Sequence, residues 1–288
     1  GISYAVLDQQ GPQQWPFPTG AQTGTPRLYG DGIFPTESGR ANFITEPYRA
    51  AKELRDARFP LTLNTGRLRD QWHGMSRTGT AARLFGHVSE AVLSLHPDEM
   101  RRHRLQAGEL VSLKSRRGSL IVPVSSDDSV RPGQAFLPMH WGDRFLKGGV
   151  NVLTQPAFDP LSKQPELKHA GVRIEAVTLP WQLFALVEGD VQTHLEALRP
   201  LCESFAYASL SLAGRERPAL LIRAANAQAP DNQLLTQIDQ LLGLNEGPVL
   251  SYDDPRRSIG KRVRIENGRI TAIRLAGETI AQHWLQSL

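Results

Sequence analysis

At 288 residues the chain has room for two domains with cores of their own, and its 40% hydrophobic and 22% charged content is that of a globular protein. No apolar run approaches the roughly 18 residues of a membrane span, and no signal-peptide pattern opens the sequence. The formal charge of +4 and the pI near 9.4 suit anionic ligands, while arginines scattered through many segments argue against a nucleic-acid surface.

Residues 1–59 read as an extended lead-in. The first 44 are rich in Gly, Pro, Gln and Thr, a composition that drapes over a surface instead of building a core. Trp15 and Phe17, set among prolines, are candidate anchors to a neighbouring domain. EPYRAAKELRDA (46–57) predicts one short helix, with Pro47 early and Arg58-Phe59-Pro60 ending it. A chain that opens on Gly1 and a coreless lead-in reads as an excised fragment or a processed product.

Residues 60–178 carry mostly β pattern. LTLN and AVLSLH read as strands, and His96-Pro97-Asp98-Glu99 as a helix start with Pro and acids in its first turn. MRRHRL continues that helix until Ala107-Gly108. ELVSLKS and SLIVPVS then alternate with period two around Arg116-Arg117-Gly118, a hairpin signature. QAFLP and GVRIEAVTL complete a set of short strands that suggests a closed barrel. Residues 179–288 change rhythm. Their order is β-α-β-β-α-β, that of a smaller ferredoxin-like α+β domain, with Asp231 near the start of the second helix. KRVRIENGRITAIRLAG adds a hairpin turning at Asn267-Gly268, and GETIAQHWLQSL a short amphipathic helix.

Chemistry concentrates between Leu61 and Thr80. The first strand runs into Thr65-Gly66, where glycine permits close backbone approach to a ligand. The loop that follows carries Arg67, Arg69, Asp70, Gln71, Trp72, His73, Ser76, Arg77 and Thr78. Guanidiniums at such intervals suit phosphate and heteroaromatic groups through forked hydrogen bonds and stacking, so the loop suits a large, polar, anionic cofactor. The competing reading is a solvated basic loop with Trp72 folded into the core. A single cysteine, Cys202, excludes an internal disulfide framework and a cysteine-only iron–sulfur site, and its apolar setting reads as a buried inert thiol. The eight histidines show no HExxH or comparable spacing, so no metal is expected on this chain alone.

The string TGRLRDQWHGMSRTG resembles the cofactor loop in the last domain of molybdopterin-dinucleotide oxidoreductases of the dimethyl-sulfoxide-reductase superfamily. HPDEMRRHRLQAGELVSLKSRRGSLIVPV, FLPMHWGD and NVLTQPAFDPLSKQPELKHAGVRI are similar to the rest of that domain, in the same order, and the likeness covers residues 30 to 178. RDQWHG, the DPLSKQPE run and YDDPRRSIGKRVR resemble most the assimilatory, cytoplasmic nitrate reductases. The resemblance implies a fold of mixed β and α+β class: a double-psi-type six-stranded β-barrel followed by the smaller α+β domain.

It further implies that Thr65, Gly66, Arg67, Leu68, Arg69, Asp70, Gln71, Trp72, His73 and Gly74 clasp a pterin, with Asn151 and Lys168 reaching the same cofactor. Asn offers a donor and an acceptor to a ring edge, and Lys a charge to an oxygen. A surface lysine and a turn-forming asparagine after Gly148-Gly149 are the rival readings. Met139 and His140 occupy positions near the substrate funnel, His140 as a proton donor or as a simply packed histidine. Asp159 and Glu166, beside Lys163 and Lys168, are expected to shape their loop through salt bridges. The cofactor implied is molybdenum bis-molybdopterin guanine dinucleotide, with an iron–sulfur cluster bound by regions outside this chain. Partners implied are the N-terminal catalytic domains of the same polypeptide and an electron donor, whether ferredoxin, flavoprotein or NADH-linked subunit, with neither nucleic acid nor membrane. Alone the chain is expected to be inactive. A formate dehydrogenase of the same superfamily, or a non-catalytic double-psi barrel serving as an adaptor, is the alternative.

Overall fold

A computed structural model describes residues 1–285 and divides the chain into two compact units, Gly1–Arg49 and the chain from Ala50 onward. The first unit holds a helix that composition did not announce, α1 (Tyr4–Gln10), whose N-terminus is capped by Ser3 Oγ accepting the Val6 N–H. The remainder is turns and irregular chain. Phe17 is buried, whereas Trp15 stays largely exposed.

In the second unit six strands close into a barrel: β1 (Leu61–Gly66), β2 (Leu93–Leu95), β3 (Leu110–Lys114), β4 (Ser119–Ser126), β5 (Gln134–Pro138) and β6 (Ala170–Ala176). Their order around the barrel is β1-β5-β2-β4-β3-β6, with β6 returning to β1. Alternation places Leu61, Leu63, Leu93, Leu95, Leu113 and Val122 inside, all nearly free of solvent. β1 runs parallel to β5, pairing Thr65 with Leu137 and Gly66 with Pro138. The loops that follow these two strands therefore leave from one end of the barrel. Between β2 and β3 lies α2 (Pro97–His103), capped by His96 Nδ1 on the Asp98 N–H. It stops at Arg104, which takes a left-handed φ of 55°, short of the expected Ala107-Gly108.

The helix expected over residues 46–57 does not form. From Ala50 onward the segment is irregular, and Glu53 instead accepts from both guanidinium nitrogens of Arg117 (2.5 and 3.0 Å) and from the Gly171 N–H of β6 (3.0 Å). Helix propensity is worth only tenths of a kcal/mol per residue, and charge-assisted bonds to distant groups outweigh it. The Arg116 guanidinium packs over the Phe59 ring, so the hairpin arginines hold this strap in place.

The second sheet is built from β7 (Trp181–Glu188), β8 (Tyr207–Ala213), β9 (Ala219–Asn226), β10 (Val249–Asp254), β11 (Ile259–Glu266) and β12 (Arg269–Ala276). The helices α3 (Val191–Leu198) and α4 (Asn232–Leu241) start at Asp190 and Asp231, whose carboxylates accept first-turn N–H groups. The β-α-β-β-α-β order is present, but the sheet order is β10-β11-β12-β7-β9-β8. The place beside β7 belongs to β12, and β10 is displaced to the edge. Burial explains the exchange: ITAIRLA in β12 is almost wholly buried, whereas β10 has no buried residue and could not sit mid-sheet. Asn267 and Gly268 both take positive φ (51° and 75°), the geometry of a tight hairpin turn joining β11 to β12. α3 and α4 pack on one face, where Arg274 of β12 is buried against Asp239 of α4 with Nη2 2.6 Å from the carboxylate. Of the expected C-terminal helix, α5 (Gln282–Leu285) is observed, and residues 286–288 lie outside the described residues.

β8 ends the sheet, and the barrel's 145–147 segment covers its free edge. Leu210 N–H donates to Phe145 O (2.7 Å) and Lys147 N–H to Ala208 O (3.0 Å). No described helix is long and apolar enough to cross a membrane.

Candidate functional site

The candidate site is the surface formed where the loops after β1 and β5 leave the barrel side by side. Met139 N–H donates to Gly66 O (2.9 Å), extending the β1–β5 ladder by one residue. The next residue, His140, is wholly buried and joins the two loops. Its Nε2 accepts the Leu68 N–H at 2.8 Å, and its Nδ1–H donates to His73 O at 2.7 Å. Both ring nitrogens are occupied, which fixes the neutral tautomer with its proton on Nδ1. Burial pushes the imidazole below its ordinary pKa, in the same direction. His140 is therefore a clamp on the loop, and neither nitrogen is left to face a substrate funnel. Met139, partly buried, serves the ladder through its backbone.

The loop's skeleton is packed inward. Met75 is fully buried with a left-handed φ of 59°, and the Gln71 amide donates to Leu84 O (3.1 Å). Thr78 Oγ1 accepts the Trp72 N–H, and Gln192 of α3 reaches Gly79 O at 3.4 Å. A Cβ on Gly79 would lie 2.7 Å from the Phe145 ring, so the loop's exit is seated on that ring. The same geometry adds to the reading of Gly66. A Cβ there would stand 2.6 Å from Phe136 Cε2, so an aromatic neighbour by itself calls for glycine at this position. Phe136, Phe145 and Gln192 escaped the sequence reading because each acts from a distant element with no motif of its own.

The charged and aromatic groups point outward. Arg67, Arg69, Trp72, His73, Gly74 and Arg77 are exposed, Trp72 by 56%, so the indole is not folded into the core. Arg69 is committed to Asp70 by a two-pronged ion pair (2.8 and 3.0 Å), which holds the Asp70 carboxyl below its usual range. Arg67 and Arg77 find no acceptor for their guanidiniums among the described residues. Lys168 is brought to the start of the loop, its Nζ donating to Thr65 O at 2.7 Å, while Thr65 Oγ1 donates to Leu167 O. Asn151 is exposed on the 3₁₀ turn Val150–Leu153, which Val150 N–H fastens to Trp141 O beside His140. One buried acceptor in the loop, Gln71 Oε1, has no hydrogen-bond partner.

The carboxylates nearby take part in the hydrogen bonds of their loop. Asp159 accepts the N–H groups of Leu161 and Ser162 and so closes a turn. Glu166 accepts from Gln155 Nε2 (2.8 Å) and from the Lys52 N–H (3.3 Å), while Lys163 donates to Pro160 O. Backbone and side-chain bonds together shape the loop, and the Lys168 ammonium donates to Thr65 O at the start of the candidate site. Cys202 is buried, and desolvation pushes its thiol up to about 11.

An exposed indole, two guanidiniums without an acceptor among the described residues, an ammonium and an amide are groups suited by type to a planar, polyanionic molecule. Residues 61–171 match the family described as Molydopterin dinucleotide binding domain, a range that begins with β1 and ends in β6. Over that range the barrel is similar to molybdopterin dinucleotide binding domains. The chain is similar to "Nitrate reductase" of Klebsiella oxytoca, at 36% identity over 62% of this chain and 21% of that protein. It is similar also to "Assimilatory nitrate reductase catalytic subunit" of Bacillus subtilis (31% identity, 60% and 24% covered). A third relative is "F420-dependent formate dehydrogenase subunit alpha" of Methanocaldococcus jannaschii (33% identity, 62% and 25% covered). The chain thus spans a quarter or less of the length of these relatives.

Proposed function

We propose that this chain supplies one wall of the molybdopterin guanine dinucleotide site in a molybdenum-dependent assimilatory nitrate reductase. The observation that carries the reading is a loop whose backbone is clamped by His140 while Arg67 and Arg77 remain without acceptors. Uncompensated guanidiniums on a pre-ordered surface bind an anion without the entropy cost of ordering the loop. The residues present fit the group: Arg67, Arg77 and Lys168 would meet phosphate and ring oxygens, Asn151 a ring edge, and Trp72 a heteroaromatic face. Gln71 Oε1, buried and unpartnered, marks a further acceptor for a donor on the ligand. Thr65, Gly66, Leu68, Arg69, Asp70, His73 and Gly74 complete the clasp by holding its backbone.

The chemistry supplied by the bound group is two-electron oxygen-atom transfer from nitrate, leaving nitrite. Regions outside this chain would hold the metal's protein ligand and an iron–sulfur cluster and receive electrons from a ferredoxin, flavoprotein or NADH-linked subunit. The double-psi form of the barrel and a cytoplasmic setting belong to the same reading. A formate dehydrogenase is the second reading, favoured by the relative that bears that name. In the full-length protein, Arg67→Ala combined with Arg77→Ala should lower the pterin and guanine nucleotide released on denaturation. Undiminished cofactor content in that double variant would refute the reading.

A further inference from the structure

On the face of the second sheet opposite α3 and α4 lies a groove of about 940 Å³, closed on one side by the barrel's 82–89 segment. Leu186, Leu221, Ile270 and Ile273 form its apolar floor, with Phe85 on the barrel wall and Leu285 of α5 at one end. Its rim is arginine. Arg83, Arg215, Arg217, Arg223 and Arg269 line it, against Glu188 and Glu216. Glu188 alone serves two of them, standing 3.9 Å from Arg217 and 3.4 Å from Arg269. Arg83 and Arg215 have no carboxylate partner among the described residues. Arg223 leans towards Glu90 (3.7 Å), yet its Nη1 is buried without an acceptor.

We propose that this groove docks an acidic amphipathic segment of a partner protein, its apolar side on the floor and its carboxylates on Arg83, Arg215, Arg217 and Arg269. Charge complementarity selects the occupant: guanidiniums ring an apolar floor, the arrangement that recognises carboxylates flanking hydrophobic anchors. A second copy of the chain fits poorly, since a two-fold contact would set this basic rim against itself. Nucleic acid fits poorly too, because Glu188 and Glu216 would face phosphate and no aromatic lies free for a base. The groove shares no residue with the barrel-end loop, so the two can fail separately.

The test uses the full-length protein and two labelled synthetic helices with one leucine stripe, the polar face of one built from glutamate and of the other from lysine. In anisotropy titrations the glutamate helix should bind saturably and weaken with added salt. Arg83→Glu with Arg215→Glu should weaken it by at least about tenfold, while thermal melting and pterin content stay unchanged. Equal binding of both helices, no binding of either, or a titration unmoved by the double charge reversal would overturn the proposal. So would concentration-dependent dimerisation, in sedimentation, that the same reversal abolishes.

Discussion

Replacing His140 by phenylalanine keeps an aromatic ring, somewhat larger than the imidazole, and deletes both of its hydrogen bonds. The Leu68 N–H and the His73 carbonyl then face a wholly buried apolar edge. Each orphaned buried polar group costs about 1–3 kcal/mol, which puts the loss at roughly 2–6 kcal/mol. That is a large share of the roughly 5–15 kcal/mol holding a domain together. Urea unfolding should shift accordingly, and amide exchange should rise first in residues 67–75. A pH series adds an independent check. Burial lowers the folded-state pKa of His140, so the unfolded chain takes up its proton first as pH falls. The stabilisation is complete above the unfolded value near 6.5 and is lost as pH falls below that towards the folded value. Protonation removes the lone pair that Nε2 offers to Leu68. His194, half-buried, is also lowered, with the same sign, so the difference between wild type and variant reports His140. An unchanged urea midpoint and unchanged exchange in 67–75 would refute the clamp.

Gly66→Ala should destabilise by about 1–3 kcal/mol through the clash with Phe136, and Phe136→Leu in the same chain should recover most of it; additive losses in a double-mutant cycle would contradict this. Asp239→Ala strands the buried Arg274 and should cost about 3–5 kcal/mol, whereas Asp239→Leu with Arg274→Met should unfold near the wild-type urea midpoint. Glu53→Gln should release the strap around residues 50–57, seen as faster cleavage there in limited proteolysis. The arginine bonds also keep the Glu53 carboxyl below its ordinary range. Its contribution is therefore present above the unfolded carboxylate pKa and lost as pH falls through the lower folded one.

The barrel strands were legible because LTLN, ELVSLKS and SLIVPVS alternate, and alternation is a local signal that burial on one face imposes. α2 announced itself through Pro97, Asp98 and Glu99, whose placement is fixed by the orphan groups of a helix start. What failed was non-local. EPYRAAKELRDA has helix-forming residues, and only Arg117 and Gly171, far along the chain, explain why Glu53 is used otherwise. The exchange of β10 for β12 was partly written in composition, since SYDD is too polar for a central strand and TAIRLA too apolar for an edge. In the site, the outward residues of RLRDQWHG were readable by type. The role of His140 was not, because its partners stand 72 and 67 positions away and a buried imidazole looks like any other in sequence.

The distribution of charge around that loop is itself an argument for an external anion. Between Leu61 and Thr80 there are three arginines and one carboxylate, Asp70, and Arg69 consumes it. Several arginines elsewhere in the chain recruit distant acids: Arg116 and Arg117 use Glu53, Arg274 uses Asp239 and Arg262 uses Asp253. Solubility alone would be served by mixed signs, and stability by pairing. Arg67 and Arg77, exposed on the same loop as Trp72 and without an acceptor among the described residues, leave its positive charge uncompensated from within. Under the proposed reading, negative charge on the ligand would offset that excess on a loop whose backbone His140 already holds.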